Sequence, residues 1–417
     1  MYKAPRQAAL WAALVSASFA GVASAEITFN KDVLPILQQK CQTCHRPSGI
    51  NLSGMVAPMS LMTYEEVRPW AKAMVKAVNE KVMPPWDASE HFNGTFRNER
   101  TLTTEQIALL NDWVTQGAKR GNPQDAPAPI QFSDTGWNFG KPDLVVDFPE
   151  PFFVKDEVQD LYENITTKLT ESQLPTDRWI RSVEFKPGSD VVHHIIGHAT
   201  SSEHAGDTSR GMIGGNAPGA DQSQWDEGFG MQLKKDSAIT FAMHYHKEAG
   251  PGTGQWDSSQ IGFQFHPEGA KVTHPVTIFP IAHGGFEIPP NNPRWKVGAS
   301  HTFEEDTLVL SMLPHMHLRG TEAKYTAFYP DGTTEILLHV PQWDFNWQTG
   351  YDYKIHKDLP AGTRVEMEFW YDNSKERGEM AGFDSTESIR FGGPTTDEMD
   401  LAWITVAPKK EQEIPGD

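Results

Sequence analysis

Cys41-Gln42-Thr43-Cys44-His45 has the C-x-x-C-H spacing of a covalent haem attachment motif and contains the only two cysteines among the 417 residues. Two thiols one helical turn apart can form thioethers with the two vinyl groups of a porphyrin, and the adjacent imidazole can ligate the iron. A thioredoxin-like redox pair is the competing reading. The histidine that follows immediately, together with the export signal described below, favours haem. A methionine is expected on the other face of the iron, because its soft thioether raises the potential. Met55, Met59, Met62, Met74 and Met83 are the candidates. Met83 is preferred, since Met83-Pro84-Pro85-Trp86 is a stiff, non-helical turn that can hold a sulfur against iron. A methionine elsewhere ordinarily fills core space.

Histidine supplies the second body of chemistry. Fourteen of the sixteen histidines lie beyond residue 190, and three groups stand out: His193-His194 with His198, His244-Tyr245-His246 and His315-Met316-His317. Residues two apart on a strand share a face, so His315 and His317 can offer two imidazoles to one metal, as can His244 and His246. Leu308-Val309-Leu310-Ser311-Met312 reads as the strand delivering the first of these pairs. His193 and His194 would point to opposite faces of a regular strand, so their joint use requires a local twist or bulge. Any single histidine is more often a surface or hydrogen-bonded residue; three clusters together shift the reading toward metal. Imidazole suits zinc, copper, iron and nickel, whereas an added thioether selects copper. Met399, in Asp397-Glu398-Met399, offers one.

The order of these motifs (a His-His pair, Met-His-Tyr, His-Met-His followed by Leu-Arg-Gly, then Asp-Glu-Met) resembles the copper type II, ascorbate-dependent monooxygenases, the peptidylglycine and dopamine hydroxylase family, over residues 140 to 408. The resemblance implies two all-β, jelly-roll-like sandwich subdomains with one copper each, facing one another across an open cleft. Carried over position by position, it implies that His193, His194 and His244 hold an electron-transfer copper. His315, His317 and Met399 would hold an oxygen-binding, catalytic copper. His198 and His246 fall outside the ligand pattern. The chain also departs from the family. Leu313 stands where the peptide hydroxylase has an arginine for its substrate carboxylate, Leu401 and Trp403 replace an Asn and a Tyr, and the family's disulfides are missing. The substrate implied is therefore a small molecule of more apolar or aromatic character than a peptide ending in glycine. It would be hydroxylated with O₂, with electrons arriving through the haem. An electron relay without oxygenase activity, or a copper-binding or sensing module, remain the alternatives.

These residues must be positioned by separate units, and the length allows two or three. Lys3 and Arg6, the apolar run Ala8 to Val22 and Ala23-Ser24-Ala25 read as a signal peptide cleaved after Ala25, which implies a periplasmic protein without membrane insertion. Loss of Lys3 and Arg6 takes the formal charge from −19 to −21. That balance argues against nucleic acid and suits a basic electron carrier as redox donor. Residues 26–121 are expected to form a small all-α cytochrome c domain. Its first helix runs from Asn30 to Gln39, and its last opens on a Thr103/Gln106 capping box and stops near Gly117–Gly121. A proline-rich linker, 122–135, follows. Beyond it, strict alternation in Arg364–Phe369 and the turn Tyr329-Pro330-Asp331-Gly332, between runs at Tyr325–Phe328 and Glu335–Val340, predict short strands. The all-β subdomains are placed at 136–290 and 291–410, with a tail at 411–417.

Overall fold

The computed structural model describes residues 26–47, 57–132, 135–202, 211–217 and 223–412. The residues read as a signal peptide, Met55, Asp417 and the residues just before it lie outside them. The chain is mostly β, and its helices gather at the N-terminal end. No helix among the described residues is long and apolar enough to cross a membrane.

The helical segment follows its sequence signals closely. A π-turn at Phe29–Val33 runs into the helix Leu34–Lys40. The helix Thr104–Thr115 opens on the expected box, with Thr103 and Gln106 capping each other's backbone amides. The two ends of the segment meet where Phe29 packs on Trp113, ring centroids 6.0 Å apart, and the Phe29 amide donates to the Lys119 carbonyl at 2.9 Å. Val33, Leu37, Val67 and Leu110 complete a core of their own.

The linker is no loose tether. Pro123–Asp125 forms a 3-10 turn, the Gln38 side chain donates to the Ala128 carbonyl at 3.0 Å, and the Arg46 guanidinium lies 3.8 Å over the Phe132 ring.

Two pairs of sheets follow, each enclosing a core. In the first pair, one sheet runs in the order 144–147, 260–265, 178–186, 229–233, 274–275, with 223–224 added to 178–186. The other runs 160–168, 238–246, 192–200, 212–216. In the second pair the orders are 277–282, 401–408, 307–315, 351–359 and 295–302, 364–371, 320–328, 334–340. Alternation does what it should: Arg364–Tyr371 buries every second residue, and Gly320–Phe328 pairs with Thr334–Val340 around the anticipated turn. Gly332 closes that turn at φ +87°, a conformation that strains side-chain-bearing residues.

Two boundaries differ from the sequence reading. The strand Thr277–Ala282 pairs along its whole length with Leu401–Pro408, so the second unit begins near residue 277 rather than 291. Pro289, Pro290 and Pro293 mark a turn inside that unit, not a junction. The helical segment is also not closed at 26–121. Trp86, Ala88, Phe92 and Phe96 leave it and pack into the core of the second β unit. Backbone bonds fasten this excursion: Ser89 to His339 at 2.8 Å, Arg97 to Asp352 at 2.7 Å and Lys354 to Thr95 at 3.0 Å. Phe96 is fully buried against Tyr351 and Tyr353. Phe96→Ala should therefore destabilise the second β unit by about 3–5 kcal/mol in denaturant unfolding. Truncation of Ile355, 85 % exposed on the same strand as Tyr353, should stay within about 0.5 kcal/mol. Equal effects would mean that the excursion is not part of the core.

Candidate metal centre

His193 and His194 sit at the start of the strand Val192–Thr200, where the pairing with Ala238–His246 slips: Val192 faces Tyr245, yet His194 faces His244. His193 is the extra residue of that β-bulge, and the bulge turns two adjacent side chains toward one point. One ligand atom from each of His193, His194 and His244 lies within 4.8 Å of the others. The ring centroids of His193 and His194 are 4.9 and 4.8 Å from that of His244. His244 Nε2 donates to Asp160 Oδ1 at 2.8 Å, while its Nδ1, like that of His193, is buried without a hydrogen-bond partner. A buried ring nitrogen left this way is costly unless something else binds it, and a metal ion would account for both.

Asp160, His244 and His246 also lie close enough to hold an ion. Their donors are already joined, because His246 Nδ1 donates to the same Asp160 oxygen at 2.9 Å. This trio orients His244 rather than competing with the first. His198, farther along the strand, takes no part.

His315 ends the strand Thr307–His315, and His317 begins the turn after it. Their rings are 5.3 Å apart and perpendicular. Each is tethered through Nδ1, His315 to Gln348 Oε1 at 2.5 Å and His317 to the Asp397 carbonyl at 3.4 Å, which leaves both Nε2 atoms for a ligand. The Met399 backbone is drawn beside that of His317 through Glu398. One Glu398 oxygen accepts the His317 amide at 2.8 Å and the Met399 amide at 3.3 Å, and the other accepts the Arg319 amide at 2.6 Å. Arg319, itself fully buried, donates to Asn373, to the Thr396 carbonyl and to the Asp384 carbonyl. Gly320 lets the turn close: a Cβ there would meet Met316 at 2.6 Å and the Trp343 ring at 2.9 Å.

The two sets are not separated by an open cleft. The His194 and His315 rings stand 5.9 Å apart, and Phe345 stacks on His193 at 4.8 Å while reaching His317 at 6.5 Å. A further bond crosses between the units, from the Thr395 hydroxyl to Asp160 Oδ2 at 3.0 Å.

In the N-terminal segment, Cys41 and Cys44 are half-buried on the turn after Leu34–Lys40. The His45 amide donates to the Cys41 carbonyl at 2.9 Å. His45 Nδ1 donates to the Met59 carbonyl at 3.2 Å, which orients the ring and leaves Nε2 able to ligate. Burial, with Cys44 beside it, pushes the Cys41 thiol up to about 12, the opposite of what a redox-active thiol needs. Met59 and Met74 pack against the helical core, as expected of space-filling methionines. Met83 lies half-buried past the helix Ala71–Asn79, its amide bonded to Ala77, and no hydrogen bond ties it to His45.

Asp160, Glu398, Arg319, Gln348 and Phe345 were not singled out by sequence reasoning as parts of the site. Glu398 and Arg319 stood inside quoted motifs, and that adjacency was the only available signal.

No protein-family model and no curated protein matches the chain. Among solved structures it is similar to the protein of cowpea mosaic virus empty particles, at 7% identity, 69% of this chain, 97% of that chain and TM-score 0.29. The major capsid protein P2 of bacteriophage PM2 gives 7%, 64%, 98% and 0.27. A peptide-N(4)-(N-acetyl-β-D-glucosaminyl) asparagine amidase gives 8%, 66%, 98% and 0.28. At TM-scores this low the likenesses carry no argument.

Burial, reinforced by neighbouring imidazoles, lowers His193 to about 3. Burial, opposed by the Gln348 hydrogen bond, lowers His315 to about 4. His194 and His317 are lowered well below the ordinary value for the same first reason. All are neutral, and so competent to ligate, at neutral pH. In the unfolded chain they protonate near pH 6.5, so between there and pH 4 the unfolded state binds protons that the folded state refuses. Each such histidine should therefore cost the metal-free protein up to about 1.4 kcal/mol of stability per pH unit as pH falls through this window, against carboxyl groups that burial pushes up, Glu398 among them, which contribute with the opposite sign. Denaturant unfolding from pH 6.5 to 4 should show the contribution of His315 as a difference in slope between the parent protein and His315→Gln; equal slopes would mean that the ring is hydrated.

Proposed function

We propose that this chain is an exported copper monooxygenase: a cytochrome c domain at its helical end, followed by two β-sandwich copper subdomains. The observation that carries the reading is the convergence of His193, His194 and His244 on His315 and His317. In that convergence the buried Nδ1 of His244 and the untethered Nε2 of His315 and His317 are the atoms left to ligate.

His193, His194 and His244 would hold one copper; His315, His317 and Met399 would hold the other. Cys41 and Cys44 would carry the haem, with His45 and Met83 on its iron. Bound there, the metals would activate O₂ and pass on two electrons taken from an external redox donor, so that R–H, O₂, two electrons and two protons become R–OH and water. The protein's own part is positional. Asp160 fixes the His244 ring, Gln348 fixes His315, and Glu398 clamps His317 to Met399, so neither ligand set must reorganise to bind. Phe345 and Tyr162, the latter stacked on His244 at 4.2 Å, keep water from the rings. Met399 is the soft donor, and its thioether favours Cu(I).

An electron relay would need only the first set. The second set, with both imidazoles tethered for Nε2 ligation and a buried carboxyl group joining the His317 and Met399 backbones, favours the oxygenase over the relay.

Protein purified from a periplasm should contain two coppers per haem. Met399→Ala should weaken Cu(I) binding at one site by about tenfold or more, leave the other unchanged and abolish hydroxylation. One copper per haem, unaffected by the substitution, would leave the relay as the better reading.

A further inference from the structure

A cavity of about 100 Å³ opens between the two β units, with His194 and His315 on its wall. Much of its lining is apolar: Ile195, Ile278, Leu313 and Trp403 contribute, and the last two face each other across paired strands. Its polar groups are largely satisfied. The Ser311 hydroxyl donates to Thr405 at 2.8 Å, and the Gln348 carbonyl oxygen already accepts from His315.

Asn216 is the exception. It is 9% exposed, it lines the cavity, and its Oδ1 is buried with no hydrogen-bond partner. A buried amide oxygen held without a partner is destabilising unless a ligand meets it. Charge narrows the choice of ligand. Among the described residues no lysine or arginine lines the cavity, and Asp352 is its one formal charge. A carboxylate would enter without a counter-charge, at a high desolvation cost, and Asp352, which already has a partner, is not free to receive an ammonium.

We propose that this cavity binds the reacting end of the substrate, and that the substrate is a small uncharged, mainly apolar molecule whose single hydrogen-bond donor, a hydroxyl or amide N–H, meets Asn216. Naming the occupant a substrate rests on the monooxygenase reading; its binding does not. The placement puts an apolar C–H-bearing group against the walls that carry His194 and His315, while Asn216 fixes the polar end.

The test is titration calorimetry on the full chain with benzyl alcohol, benzoate and benzylamine, which share one ring and differ in charge. Benzyl alcohol should bind saturably, and the two ions at least about tenfold more weakly. Asn216→Leu should weaken the alcohol by about tenfold, as expected for one lost hydrogen bond, while toluene binding is kept. Leu313→Trp, which fills the cavity, should abolish binding of both and decides the matter if Asn216→Leu does not fold. Either ion binding as tightly as the alcohol, or the alcohol binding unchanged in either folded variant, overturns the proposal. So does no binding at all in protein that carries two coppers per haem, although the monooxygenase reading then stands. The expected binding pattern in protein that takes up no copper would uphold the cavity assignment and remove the oxygenase.

Discussion

Glu398 is the group on which the candidate centre depends. Its carboxyl group is wholly buried and takes backbone amides from His317, Arg319 and Met399, so two segments about 80 residues apart in sequence are held by one side chain. Burial pushes it up to about 8, against the pull of the three amides and of the Arg319 charge. Such a group adds little net stability. In its charged form the amide bonds contribute about 1.5–3 kcal/mol each and desolvation costs several kcal/mol, and the upward shift says that desolvation outweighs them. What remains is geometry: the turn after His315 cannot move relative to Met399 without stranding a buried carboxyl group.

Asp160 plays the matching part in the first unit, with a difference that matters. Its burial opposes ionisation, but hydrogen bonds from His244 and His246 and their charge hold it below the usual carboxylate range. One oxygen orients both histidines and the other accepts from Thr395, which lies in the strap that carries Met399. The two halves of the centre are thus linked by a chain of direct contacts: His244 to Asp160, Asp160 to Thr395, and Thr395 along four residues to Met399. The close approach of His194 to His315 is the geometric outcome of that linkage.

The grouping of the histidines was legible in the sequence. His315 and His317 were expected on one strand; the strand ends at His315, and His317 lies just past it. The adjacent pair His193-His194 needs a bulge, and the register slips at that pair. The Thr103–Gln106 box and the Tyr329–Gly332 turn were likewise local signals with local consequences. The supporting residues were not legible. Asp160 and Gln348 act on histidines 84 and 33 residues away, and nothing in the local pattern distinguishes them from other polar residues. The boundary at residue 277 was missed for the same reason. Strand Thr277–Ala282 finds its partner more than a hundred residues later, and no local pattern announces so distant a pairing. Nor does hydrophobicity say which core a residue will join: Phe92 and Phe96 read as members of the helical unit and are buried in another.

That excursion bears on how the helical segment can influence the centre. Asn98 donates to the Gly350 carbonyl at 2.8 Å and accepts the Asp352 amide, and Trp86 packs edge-on against Tyr351 with ring centroids 5.1 Å apart. Residues 348–352 are therefore gripped from the N-terminal side, and this short stretch also supplies Gln348, which sets the His315 ring, and part of the cavity wall. The Met83 turn precedes Trp86 by two prolines, which leave little freedom between them. On the reading proposed for Met83, the element that would contact the haem iron is the same one that braces His315. A flexible linker would leave the distance between the Met83 turn and His315 to diffusion. Burying the excursion fixes that distance, and it does so with apolar contacts rather than with charges.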